Sequence, residues 1–129
     1  MSLEKNKEFI RRYLAAISGK PKTRERVEAF MTDQELVNHI LDSEIALPEY
    51  RLDVEEMVAE GDLVTVRGTV RGTNRGPLKG MPPTNRDVSF AIFVTYRVVN
   101  EKIVEHWMLT DNLTMMKQLG LIPEPAEKA

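Results

Sequence analysis

The chain has no cysteine among its 129 residues. A disulfide framework, a thiolate metal site and a cysteine nucleophile are therefore excluded. It also lacks a surplus of basic charge. With 18 Lys+Arg against 20 Asp+Glu and a formal charge of −2, nothing in it would hold a phosphate backbone, so nucleic acid is excluded as a partner. The apolar runs fall far short of the ~20 residues of a membrane span. The stretch Met1–Lys7 is too polar for a secretory signal. No membrane partner and a cytoplasmic location are the resulting expectations. Histidine is scarce: His39 and His106 are the only two, they are far apart, and no HxxxH or carboxylate cluster accompanies them, so no metal set is expected. There is no GxSxG elbow, and Gly72, Gly76 and Gly80 form no phosphate cradle. Acid–base chemistry would have to rest mostly on carboxylates.

What remains is a chain with 42% hydrophobic residues, enough to build one domain over residues 1–129. Phe9, Ile10, Tyr13, Leu14 and Ile17 recur at helical spacing over Leu3–Ser18, with Ser2 able to cap the start and Gly19 the end. Thr23 precedes a short helical pattern through Val27, Phe30 and Met31. Thr32 with Glu35 has the form of a capping box opening a third helix, which Pro48 stops. From Arg51 the period changes to two. Arg51–Ala59 and Leu63–Gly72 read as a hairpin, Arg86–Val99 and Lys102–Leu109 as two further strands. Between the pairs lies a Gly- and Pro-rich loop, Thr73–Asn85 (TNRGPLKGMPPTN), of the long irregular kind that is often functional. Asp111 or Asn112 can cap a final helix that Gly120 ends, and Pro123–Ala129 reads as a frayed tail. Helices segregated from antiparallel strands make the fold class α+β.

The densest chemistry lies in Ile103–Asp111. Period two puts Ile103, Glu105, Trp107, Leu109 and Asp111 on one face, and Val104, His106, Met108 and Thr110 on the other. If the first face lines a cavity, it sets two carboxylates beside the only tryptophan, where desolvation raises a carboxyl pKa toward neutrality. Each of these residues has a plainer reading: Asp111 as a helix N-cap, Glu105 facing solvent or paired with Arg97, His106 as a satisfied strand histidine, Trp107 as core. His39, on the third helix, could reach a cavity beneath it. Tyr13, Tyr50 and Tyr96 could each offer a hydroxyl there.

The second half resembles the SnoaL-like polyketide cyclases of the nuclear transport factor 2-like superfamily. The resemblance is carried by AEGDLVTVRGTVRGTNRG, KGMPPTNRDV and NEKIVEHWMLTDNLTMMKQLGLIP. It implies a cone-shaped α+β barrel: a curved, mostly antiparallel sheet wrapped around N-terminal helices, with an internal apolar cavity, commonly as a homodimer. It further implies acid–base catalysis of an aldol-type ring closure without metal or cofactor. Asp111 best matches the family's recurrent acidic residue, with His39 and His106 as further catalytic candidates. Trp107, Glu105, Tyr13, Phe90, Ile92 and Met81 are the substrate-binding candidates. Two departures stand out. Asn74 occupies a position that is often histidine, which removes any titrating role there, and Asn85 replaces a glycine, which is tolerable where φ is positive. The implied function is a polyketide or ester cyclase-type enzyme acting on a small, apolar or weakly polar carbonyl compound. A non-catalytic binding module of the same fold is the alternative.

Overall fold

The computed structural model describes residues 2–122, so the tail read over 123–129 lies outside the described residues. Three helices come first: α1 (Leu3–Ile17), α2 (Arg24–Glu28) and α3 (Gln34–Ala46). Four strands follow, β1 (Arg51–Glu60), β2 (Leu63–Thr73), β3 (Asp87–Val99) and β4 (Lys102–Thr110), and α4 (Asn112–Gln118) closes the order. Caps set the helix starts. Ser2 accepts the Lys5 N–H and Thr23 the Arg26 N–H, satisfying amides that have no partner inside the helix. The capping box read at Thr32 does not form. Asp33 caps α3 instead, accepting the Leu36 N–H at 3.1 Å. The reason lies one residue earlier: the Thr32 N–H is donated to the Ile103 carbonyl, and Met31 bridges Ile103, so the helix cannot begin until Gln34.

The strands form one antiparallel sheet in the order β1-β2-β3-β4. It is curved and open, so it does not close into a barrel by itself; the helices complete the wall on the inner side. On that side Val64, Val66, Val94, Tyr96 and Val98 meet Phe9, Ile10, Tyr13 and Leu14 of α1 in one buried cluster. Phe30 joins it, tilted against Phe9 and Tyr13 at 6.1 and 5.6 Å, and Tyr13 stands edge-on to Tyr96 at 5.7 Å. Offset and edge-on aromatic pairs of this kind add stability beyond area burial. A second cluster around Leu47, Val70, Phe90 and Leu119 holds the other end of the sheet. No helix among the described residues is long and apolar enough to cross a membrane.

Two bulges overturn the strict alternation read from the sequence. Between Arg97 and Val98 the β3–β4 register shifts, so that Val98 opposes Ile103 while Arg97 opposes Glu105, leaving Val104 extra. An extra residue reverses which parity faces inward. Ile103 is fully buried, but beyond it Glu105, Trp107 and Leu109 face outward and His106, Met108 and Thr110 face inward. The same happens on β1 between Val54 and Glu56. Past that bulge Met57 and Ala59 pack on the core, and Val58 points to solvent.

Candidate functional site

A pocket of about 560 Å³ opens between the helices and the inner face of the sheet. Its floor is Val70, Phe90, Ile92, Val94, Tyr96 and Met108, with Tyr13 and Ile17 from α1 and Met115 and Met116 from α4. Helix α3 forms one wall. Leu36, His39, Ile40 and Ser43 recur at i, i+3, i+4 and i+7, which is one helical face, and all four line the pocket with Asp42. The third side is a strap, residues 77–81. There Leu78 and Met81 exchange two backbone hydrogen bonds of 3.0 and 2.8 Å. Lys79 and Gly80 between them have φ of 47° and 80°, the paired positive angles of a tight hairpin turn.

The strap is held at its base by Asn74, which is only 1% exposed. Its Nδ2 donates to the carbonyls of Ala46 and Gly76, and its Oδ1 accepts from the Thr84 N–H and hydroxyl. All the hydrogen-bonding capacity of the amide is thus engaged at the exit of α3. Asn85 adopts φ 59°, the left-handed conformation that makes asparagine an acceptable replacement for glycine there.

The sequence-derived candidates divide sharply. His39, Tyr13, Phe90, Ile92 and Met81 are all placed on the pocket wall. His39 stands at the mouth. Partial burial, then the nearby His106, and then Lys79 hold its pKa below the ordinary 6.5 against the opposing pull of Asp42, so at neutral pH its imidazole is a free base. Burial pushes the hydroxyls of Tyr13, Tyr50 and Tyr96 above the ordinary 10; they are O–H donors throughout the physiological range.

His106 faces inward but does not line the pocket. Its Nδ1 lies 2.6 Å from Asp33 Oδ2, with side chains only 8% and 10% exposed, and Glu35 Oε1 lies 3.8 Å from Nε2. The pair ties β4 to the cap of α3 and so braces the helix that carries His39.

Trp107 and Glu105 are corrected by the bulge. Both lie on the outer face, with Trp107 49% exposed. Glu105 accepts from Arg97 Nε at 2.9 Å, and the Arg97 guanidinium sits 5.6 Å over the Trp107 ring. Asp111 is also outside the pocket. It caps α4, accepting the Thr114 N–H at 3.0 Å and the Thr114 hydroxyl at 2.6 Å. Those bonds lower its pKa, the opposite of the raised value that a buried acid would need. Asp111→Asn, which keeps a capping oxygen, is expected to leave both thermal stability and any turnover unchanged, whereas Asp111→Ala lowers the melting temperature by freeing the start of α4; paired melting curves and rate assays check this.

Sequence reasoning missed Asp42, Ser43, Lys79 and Asn112 on the pocket wall. The signal for the first two was present, since they lie three and four residues after His39 on a helix. Lys79 depended on the path of the loop, which no periodicity encodes.

A model of the SnoaL-like polyketide cyclase family matches residues 8–119. The solved structure of AclR from Streptomyces galilaeus, a hydroxylase candidate, superposes with a TM-score of 0.84 at 24% identity, covering 98% of this chain and 87% of that one. A SnoaL-like polyketide cyclase candidate from Jannaschia superposes at 0.80 with 20% identity over 93% and 94%. IdmH, a polyketide cyclase candidate from Streptomyces antibioticus, is 36% identical over 67% of this chain and 61% of its own, with a TM-score of 0.55. No curated protein matches the chain.

Proposed function

The chain belongs to the SnoaL-like polyketide cyclase family, and from that premise we propose that it is a cofactor-independent enzyme that binds a small, largely apolar carbonyl compound and rearranges it by acid–base catalysis. The observation that carries this reading is the position of His39: a free-base imidazole at the mouth of an apolar pocket of about 560 Å³. In the step proposed, the imidazole takes a proton from the carbon beside a carbonyl and an enolate forms. The enolate carbon attacks a second carbonyl of the same molecule, making a C–C bond, and the resulting alkoxide recovers the proton. Ser43, four residues along α3 from His39 and on the same wall, offers a hydroxyl to the carbonyl oxygen where negative charge develops.

The first half of that step can be tested without knowing the natural substrate. In D₂O, catalysed exchange of the α-protons of a panel of cyclic and aryl ketones is expected by NMR at rates above buffer. If ligands raise the melting temperature while no ketone exchanges, the alternative holds, and the protein is a binding module. One observation favours that alternative: the acidic residue matched to the family's recurrent position is engaged as a helix cap, not aimed at the pocket.

A homodimer is also proposed. On the outer face Phe93 and Leu109 are cross-strand partners that are 49% and 76% exposed, and Trp107 lies beside them. The neighbouring arginines are already paired within the chain, Arg67 with Glu55 and Glu56 and Arg97 with Asp62 and Glu105. A contiguous apolar strip ringed by neutralised charge suits a second copy of itself. Sedimentation is expected to show a dimer in the wild type and a folded monomer in Trp107→Glu.

A further inference from the structure

The pocket lining is mostly apolar, and its polar groups are neutral hydroxyls and an amide except at His39, Asp42 and Lys79. Among the described residues lining it, Lys79 is the only Lys or Arg. No ion pair or hydrogen bond engages its ammonium group among the described residues. The backbone fixes where the side chain starts. Lys79 occupies the first positive-φ position of the turn, at 47°, and the turn is closed by two hydrogen bonds between Leu78 and Met81. The base of the strap is fixed to α3 through Asn74 and through the Gly76 N–H donated to the Ala46 carbonyl. Lys79 is therefore carried to the pocket by a braced turn, on the strap that lines it together with His39 and Asp42 of α3.

We propose that Lys79 is the specificity-determining residue of this pocket, holding an anionic oxygen group of the ligand, such as a carboxylate or phenolate, while the apolar body lies against Phe90, Ile92 and Met108. The arrangement sorts ligands by geometry: the charged end stays at the wet rim, where an ammonium group is cheap to solvate, and the uncharged end enters. The Lys79 charge is one of the causes, after burial and His106, that hold the His39 pKa below its ordinary value. An anion bound at Lys79 would thus place the adjoining carbons of an acidic carbonyl compound near His39. The inference rests on the reading of the pocket as a small-molecule site, and it narrows the substrate class to acid-bearing carbonyl compounds.

Two fluorescent probes of nearly the same shape test it: anilinonaphthalene sulfonate, which is anionic, and phenylnaphthylamine, which is not. Both are expected to bind the wild type in competition with one another. Lys79→Met is expected to weaken the sulfonate about fivefold, the effect of one exposed charge at contact distance, and to leave the neutral probe unchanged. Lys79→Arg should retain the preference, and added salt should erode it. Lys5→Met, which makes the same charge change on α1 away from the pocket, should do nothing. An unchanged sulfonate affinity in Lys79→Met, or an equal loss in Lys5→Met, overturns the proposal. If neither probe binds the wild type, the small-molecule reading of the pocket falls with it. A Lys79-dependent preference in a protein that never exchanges ketone protons sustains this inference and overturns only the catalytic reading.

Discussion

His39→Gln is expected to abolish most of the α-proton exchange, by about 10²–10⁴-fold in kcat, with little change in ligand affinity. Glutamine keeps the polarity and approximate reach of the side chain but cannot take a proton. If the imidazole is the base, the loss therefore falls on the chemical step and leaves KM nearly as it was. The pH profile adds an independent check. The folded-state pKa of His39 is depressed below 6.5, so the free base is present above that depressed value and lost as pH falls through it. The acid limb of kcat/KM should therefore lie below pH 6.5. Removing a group that lowers the pKa moves the limb up, and removing one that raises it moves the limb down. Lys79→Met should shift it toward higher pH and Asp42→Asn toward lower pH, because Lys79 and Asp42 act on the imidazole with opposite sign. A limb that ignores both substitutions assigns the titration to another group and removes His39 from the role.

The residues around His39 show what the sequence could convey. Helix α3 was legible because its apolar spacing and the Pro48 stop are local signals, and His39 follows from that spacing alone. The same holds for the buried row Val88, Phe90, Ile92, Val94, Tyr96 and Val98 on β3, whose partners on β2 run without a break in register. Strand β4 was misread from Glu105 onward because nothing in the local sequence marks Val104 as the extra residue. The bulge arises where the turn at Asn100 and Glu101, both with positive φ, meets the demands of two other contacts. Asp62 accepts two hydrogen bonds from Arg97, and Ile103 is bonded to the segment before α3 through Phe30 and Thr32. Those contacts span up to 73 positions, as the His106–Asp33 pair also does, so alternation could not anticipate them. The motif was recognisable while the face it presents was not. Trp107 and Glu105 therefore moved from the expected cavity wall to the outer face, and Asp111 from expected acid to cap.

The largest effect on stability is expected from Asn74→Ala. The substitution empties a side-chain site that is 1% exposed and leaves the part-buried carbonyl of Gly76 and N–H of Thr84 without their partners, and it removes one of two bonds to the Ala46 carbonyl. Each buried polar group left unpaired costs about 1–3 kcal/mol. The total, roughly 3 kcal/mol or more, is a large share of the ~5–15 kcal/mol that holds a domain folded. Urea titration should show a lower midpoint with the slope retained. Thr84→Val, which removes the hydroxyl that donates to Asn74 and accepts the exposed Arg86 N–H, should cost less. Gly76→Ala tests the same junction sterically. A Cβ there would overlap the Ile45 carbonyl oxygen, a clash that only movement of the backbone can relieve. Because Asn74 and Gly76 clamp the same strap to the same end of α3, their losses should not add: once either has released the junction, the second has less left to break. The pocket is the discriminating readout. Strap residues Pro77, Leu78, Lys79 and Met81 line it, so under conditions where Asn74→Ala remains folded, the neutral probe should bind more weakly than to the wild type. Undiminished binding in the folded variant would mean that the strap keeps its place without the clamp, and that the buried asparagine stabilises the domain without shaping the site.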